Sequence, residues 1–227
     1  MDTKLSDQQT AAGDERAASA TATVDPAPIF YTPEEYLARE RLAERKSEYR
    51  AGRIVAMTGA SRAHNRITVN LGGELHQQLR RGPCEVYIAD MRVRVRRSGL
   101  YTYPDVVVAC GDIQFEDDQL DTLLNPVVVI EVLSPSTESY DRNEKFSHYR
   151  RLDSLQEYVL VAQDGVRVQR YARQGDQWVI AEYTSLDDEL PLDAIGCRVR
   201  LRDVYERVRL PGEPAEPAPG GALNSPG

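Results

Sequence analysis

Basic charge is in short supply in this chain: 28 Lys and Arg stand against 36 Asp and Glu, a formal net charge of −8. The two ends distort that balance. Residues 1–28 and 211–227 hold two basic residues (Lys4, Arg16) and seven acidic ones, which leaves 26 basic against 29 acidic, or −3, for residues 29–210. Tight nonspecific coating of nucleic acid is excluded by that number, whereas an acidic pocket with a local basic strip is compatible with it. Cysteine is scarce as well. Cys84, Cys110 and Cys197 form an odd, scattered set without C-x-x-C spacing and read as reduced thiols, small core residues of a cytoplasmic protein. No apolar stretch approaches membrane-spanning length, and no basic segment followed by an apolar one opens the chain, so a soluble protein with no membrane partner is expected. A phosphate-cradling Gly-rich loop is missing, and nothing resembles a helix-turn-helix or zinc-finger reader. Any sequence specificity would therefore come from loops.

The ends lack large apolar side chains. Residues 1–28 are mostly small and polar, and 211–227 is a Pro/Gly/Ala/Glu tract without a period. Neither can bury enough surface to offset the entropy of ordering it, so both are expected to be disordered tails around a single domain at 29–210.

Within that domain the patterning is legible. Thr32-Pro33-Glu34-Glu35 is a helix start, with a capping hydroxyl, proline at the first helical position and acids at the positive dipole end. The helix is expected to reach about Arg45 and to pack through Tyr36, Leu37 and Leu42. Ser47 to Met57 reads as a hairpin turning at Ala51-Gly52. From Ser61 to about Arg81, Ile67, Leu71, Leu75 and Leu79 recur every four residues, the signature of an amphipathic helix. Cys84 to Arg97 reads as one long strand whose apolar parity slips near Asp90, implying a bulge. Its second half puts Arg92, Arg94 and Arg96 on one side, either a solvated face on an outer strand or a comb gripping a phosphate backbone. Gly111 to Asn125 is an acidic connector, read as a solvated excursion. Strands follow at Glu157–Ala162, Val166–Ala172 and Gln177–Tyr183, and the segment from Leu190 to Val208 reads as a small strand and a short helix.

The centre of the chain runs from Tyr103 to Tyr149. Two unbroken Val/Ile/Leu runs, at Val106 and at Val127, are strands buried on both faces. Each run carries one carboxylate, Asp105 and Glu131. A lone ionised carboxylate in a dry core is costly, so both belong at strand ends facing a cleft or a cation. A turn at Ser134-Pro135-Ser136 then delivers a helix with Asp141 as N-cap and Glu144 at capping-box distance. Lys145 shares a stripe with Tyr149 and Leu152, which leans its stem toward the core.

Pro104-Asp105, E-V-L-S-P-S-T from Glu131, D-x-x-x-K-x-x-x-Y from Asp141 to Tyr149 and E-Y-V-L-V from Glu157 resemble the PD-(D/E)XK nuclease superfamily. Within it they resemble the Uma-two family of restriction endonuclease-like proteins, over roughly Thr32 to Leu210. One departure is plain: the lysine expected two residues after the second acid is Leu133, and Lys145 on the next helix is the candidate amine. The resemblance implies an α/β fold, a mixed central sheet flanked by helices with a restriction-endonuclease-like core. It also implies a cytoplasmic Mg²⁺- or Mn²⁺-dependent endonuclease that hydrolyses phosphodiester bonds of DNA. Asp105 and Glu131 would be the metal ligands and Lys145 the group that orients water or steadies transition-state charge. Glu48 occupies the place of the family's first acid, or else is a solvated partner of Lys46 and Arg50. His64 stands by the active site or the substrate phosphate, or else makes an orienting hydrogen bond within the fold. Without the resemblance, Asp105, Glu131 and Lys145 would equally suit a salt-bridged core. A catalytically silent module that binds nucleic acid or a protein partner is the alternative function, and a hydrolase of another phosphoester the third. Enzymes that cut both strands commonly act as two-fold dimers, so a homodimer is the symmetric expectation.

Overall fold

The structure is a computed structural model that describes residues 29–212. The tails for which disorder is expected lie outside the described residues, apart from Pro211 and Gly212.

The apolar runs become the centre of a six-stranded sheet. Strands β6 (Val106–Cys110), β8 (Val128–Leu133) and β9 (Glu157–Ala162) are buried almost throughout, because both faces are covered. With β3 (Cys84–Ile88), β10 (Val168–Gln174) and β11 (Gln177–Tyr183) the order is β11-β10-β9-β8-β6-β3; β8 and β9 run parallel and the other pairs antiparallel. Strand alternation divides the apolar side chains between two cores. Val106, Val108, Val128, Ile130 and Val132 face Ile67, Leu71, Leu75 and Leu79 of α2 (Arg62–Leu79), whereas Val107, Ala109, Val129 and Leu133 face the other way. Ser61 caps α2 by accepting from the His64 N–H.

That second core is roofed by another sheet, ordered β2 (Arg53–Ala56), β1 (Ser47–Arg50), β5 (Leu100–Thr102), β4 (Arg92–Val95), β7 (Thr122–Leu123). Val93, Val95, Leu100 and Leu123 point into the space between the sheets. On the outer face Tyr49 and Tyr101 pack beneath Tyr36 and Leu37 of α1 (Pro33–Glu40). The β1–β2 turn falls at Ala51-Gly52, both with positive φ (45° and 95°), as a tight hairpin turn requires. The fold is thus mixed α/β, with helices on both outer faces of two stacked sheets.

Five expectations need correction. Helix α1 stops at Glu40, and Leu42 is 88 % exposed, because Arg41 turns instead toward Asp117 and Asp121. The stretch from Cys84 to Arg97 is not one bulged strand: the chain leaves the six-stranded sheet at Ile88, turns through Ala89 (φ 58°), and enters the other sheet as β4. Cys84 and Cys110 are not reduced thiols, since β3 and β6 hold them directly opposite each other and they form a disulfide. Cys197 is the free, buried one. The acidic connector is a solvated excursion only in part: Asp112 and Asp118 are exposed, but it contains β7, and Glu116, Asp117 and Asp121 pair with Arg94, Arg41 and Arg92. Near the C-terminal end there are two strands where one was expected, β12 (Glu189–Leu192) and β13 (Cys197–Arg200), followed by the short α5 (Leu201–Val204).

Candidate active site

Antiparallel pairing sets Val106 opposite Ile130. Asp105, one residue before β6, therefore lies abreast of Glu131, and residues abreast across such a pair share a face. Parity decides which face it is: Glu131 shares the face of Val129 and Leu133, so both carboxylates emerge between the two sheets. The Val132 N–H donates to Asp105 Oδ2 at 2.7 Å and fixes its direction. From the opposite sheet, β1 supplies Glu48. Tyr49 points out to α1, so Glu48 points in, where Thr102 Oγ1 donates to it.

The fourth contributor is the helical segment after β8. It begins earlier than the sequence suggests, as α3 (Glu138–Tyr140), passes through a π turn at Asp141–Lys145, and continues as α4 (Phe146–Tyr149). Asp141 is consequently not an N-cap; it lies inside the helix, and the acid at capping-box distance, Glu144, faces outward. The π turn leaves Asp141 and Lys145 both buried. Lys145 Nζ is 2.8 Å from Glu131 Oε1, 3.4 Å from Glu48 Oε1 and 3.5 Å from Asp141 Oδ1. Tyr149, one turn on, donates its hydroxyl to Glu131 Oε1 at 2.9 Å.

Three carboxylates share one ammonium in a dry place. Burial alone would depress Lys145, but Glu131, Glu48 and Asp141 hold its pKa well above the ordinary value. For Glu48 the burial penalty is outweighed by Lys145, the Thr102 hydroxyl and Arg50, so its pKa falls. Glu131 goes the other way: burial, helped by the negative charges of Asp141 and Asp105, outweighs Lys145 and pushes it up to about 8. Asp141 is raised by burial too. The cluster thus carries more negative charge than its own cation neutralises, and a proton makes up the difference. Asp105 is its most open member, with 19 % of its side chain exposed, against 4 % for Glu131 and 6 % for Lys145.

Among the described residues, no three His, Cys, Asp or Glu side chains converge as a ready-made metal shell.

A motif-bearing core of this kind has known counterparts. Residues 33–202 match the model of the Uma2 family, described as "Putative restriction endonuclease". The chain belongs to the Uma2 family. Relatives include two "uncharacterized" proteins of Synechocystis sp., sll1609 and slr1290. The first is 39 % identical over 160 residues, covering 70 % of this chain and 90 % of that one; the second is 38 % identical over 175 residues, covering 77 % and 90 %. Among solved structures, the fold is similar to that of "a putative nuclease belonging to DUF820" from Anabaena variabilis. The TM-score is 0.64 at 19 % identity, covering 77 % of this chain and 97 % of that one. A nuclease fold of the restriction-endonuclease-like kind is therefore what this Uma2 chain has.

Of the residues singled out in the Uma2 sequence, Asp105, Glu131, Lys145 and Glu48 come together. His64, on the first turn of α2, joins them at the edge, its Nε2 3.2 Å from Asp105 Oδ2 and its buried Nδ1 without a hydrogen-bond partner among the described residues. The arginines do not join. Arg92 and Arg94 lie on the outer face of their sheet, beneath α1 and the connector. Arg92 is buried and bonded to Thr122, Tyr103 and Asp121, and Arg94 is bonded to Glu116. Arg96 falls in the turn after β4 and is exposed. Arg92 and Arg94 are thus engaged within the fold rather than presented as a comb. Asp141, Thr102 and Tyr149 are the cluster members that sequence reasoning missed. For Asp141 a signal existed: an acid four residues before a lysine that must be buried.

Proposed function

We propose that this protein is a Mg²⁺-dependent endonuclease, with Mn²⁺ as a substitute, that hydrolyses phosphodiester bonds of DNA. The observation that carries the reading is the meeting of Asp105 and Glu131 on one face with the Lys145 ammonium against Glu131. The donor set fits the cation. Mg²⁺ is usually held by one or two carboxylates, with water and substrate phosphate filling the remaining positions, so the lack of a third side-chain ligand is no obstacle. Burial, helped by the negative charges of Asp141 and Asp105, raises Glu131 to about 8, and a divalent cation would offset that charge. Asp105 and Glu131 would hold the ion, which when bound supplies Lewis acidity beside the scissile phosphate.

The chain's own residues do the rest. Lys145, charged throughout the working pH range, faces the charge that spreads over the phosphoryl oxygens in the transition state. Glu48 and Asp141 keep its amine from swinging away, and Tyr149 fixes the Glu131 oxygen that Lys145 contacts. The Val132 N–H and His64 set the rotamer of Asp105. The reading of DNA as substrate draws on the family's description, "Putative restriction endonuclease".

Supercoiled plasmid mixed with purified protein tests the reading. Nicking in Mg²⁺ that stops in EDTA is expected, and Asp105→Asn should lower it by about two orders of magnitude with the circular dichroism spectrum unchanged. One observation favours the catalytically silent alternative: the Lys145 cluster is internally paired, as a structural ion network would be. Binding of plasmid without nicking by the unaltered protein would establish that alternative and end the enzymatic one.

A further inference from the structure

The inner face of the β1–β2 hairpin does not end at Glu48. Glu48 and Arg50 alternate with the outward Tyr49, and the register sets Val55 opposite Glu48 and Arg53 opposite Arg50. On the other flank, Tyr49 pairs with Tyr101, which puts Thr102 beside Glu48 and Leu100 beside Arg50. Two rows result. Val55, Glu48 and Thr102 form the row that meets Lys145; Arg53, Arg50 and Leu100 form the next, about 7 Å along the strand.

This second row borders a cavity of about 370 Å³, walled on the helical side by His148 and Glu144. Its chemistry is mixed in a particular way. Arg50 is fixed by its bond to Glu48 and by the Tyr140 ring 3.6 Å beneath its guanidinium, while Arg53 is exposed at the rim. Val55 contributes apolar surface with the buried Leu100 behind it, and the buried Nδ1 of His148 has no hydrogen-bond partner among the described residues. With Arg50 paired to Glu48, Arg53 at the rim is the guanidinium that the cavity offers, alongside the carboxylate of Glu144.

We propose that this cavity is a nucleotide subsite, taking the residue of the substrate strand next to the scissile phosphate. Arg53 receives its phosphate, Val55 receives its sugar and base, and Arg50, held by Glu48 and Tyr140, forms the wall beneath them. The inference rests on the nuclease reading, and it adds to it the direction in which the strand leaves the cluster: along β1 toward the hairpin turn, over α4. Guanidinium groups suit this task because their fork matches phosphate oxygens in pairs.

The chain has three histidines, which makes the test direct. His64 stands by Asp105, His148 lines the cavity, and His76 is exposed near the far end of α2. The full-length protein is titrated with a thymidine trinucleotide in EDTA, so that nothing turns over, while the imidazole proton signals are followed by NMR. The His148 signal should shift saturably and that of His76 should stay. Arg53→Glu should weaken binding by about tenfold or more. Val55→Trp, which fills the cavity without changing charge, should abolish the His148 shift. An unmoved His148 signal, or unaltered affinity in both variants, overturns the subsite. The two readings also fail separately. Saturable His148 shifts in a protein that never nicks plasmid remove the nuclease chemistry alone, whereas nicking that Arg53→Glu leaves at full rate removes the subsite alone.

Discussion

Lys145 is the residue on which the cluster balances. Its ammonium is the only cation within reach of Glu131 and Asp141 among their described ion pairs, and it also meets Glu48. Removing one partner of a buried ion pair typically costs about 3–5 kcal/mol, because it strands the other charge. Lys145→Met should therefore destabilise the protein by that order, and a second change, Glu131→Gln, should recover part of the loss. A double-mutant cycle by urea denaturation measures this; strictly additive losses would mean that the two side chains are not coupled. Glu131 also makes a prediction about pH. Its native pKa of about 8 lies above the unfolded value of 4.5, so the folded state binds the extra proton between those limits. The proton-linked contribution of Glu131 is then complete below about pH 4.5 and is lost as pH rises through about 8. Wild-type stability should decline over that window more steeply than that of Glu131→Gln, as compared from denaturation midpoints at several pH values. Mg²⁺ should flatten the wild-type slope by taking the place of the proton, and a slope indifferent to Mg²⁺ would count against the proposed ligands.

At the scale of elements, what the sequence reveals depends on whether the deciding interaction is local. Strands β6, β8 and β9 are legible because continuous Val/Ile/Leu runs have no comfortable place except between two layers. The start of α1 is legible because Thr32 and Glu35 form a capping box with each other. So are the hairpin at Ala51-Gly52 and the face of α2. The break between β3 and β4 is not, since a bulge and a change of sheet produce the same slip in parity, and only the partner strands distinguish them. The π turn is equally hidden, because one residue more per turn leaves the local composition of an ordinary helix unchanged. Arg92 and Arg94 show the same limit. Alternation placed them correctly on one face, but only tertiary structure shows α1 and the acidic connector covering it. Their role is thus a property of β4 within its sheet. Arg94→Ala, which leaves the Glu116 carboxylate with the Tyr101 hydroxyl but without its cation, should cost about 1–3 kcal/mol of stability. The salt dependence of DNA binding should not change with it, because no phosphate contact is lost. A shallower slope of binding constant against salt in this variant would restore the arginines to the DNA.

For the whole molecule, the decisive feature is that two sheets meet where the chain crosses between them. Ile88 still pairs with Val106; one residue later the Ala89 N–H donates to the Asp105 carbonyl at 3.0 Å, and Lys46 donates to the Ala89 carbonyl at 2.8 Å. The crossing is therefore fastened to the candidate metal ligand, and both sheets contribute acids to the space beside it. The Cys84–Cys110 disulfide lies at the other end of the same strand pair, between residues 26 apart in sequence. Closing a loop of that length restricts the unfolded chain by an amount worth roughly 3 kcal/mol, which belongs to the stability of the molecule rather than to the site. Reduction should lower the denaturation midpoint by about that equivalent. At temperatures where the reduced protein stays folded, plasmid nicking should continue at nearly the oxidised rate, because β8 still pairs with β6 and the Val132 N–H still holds Asp105. Parallel denaturation and nicking assays with and without a thiol reductant separate the two effects. Nicking lost while the fold persists would show that β3 transmits the state of its cysteines through Ala89 to the carboxylates, and that the two ends of this strand pair act as one unit.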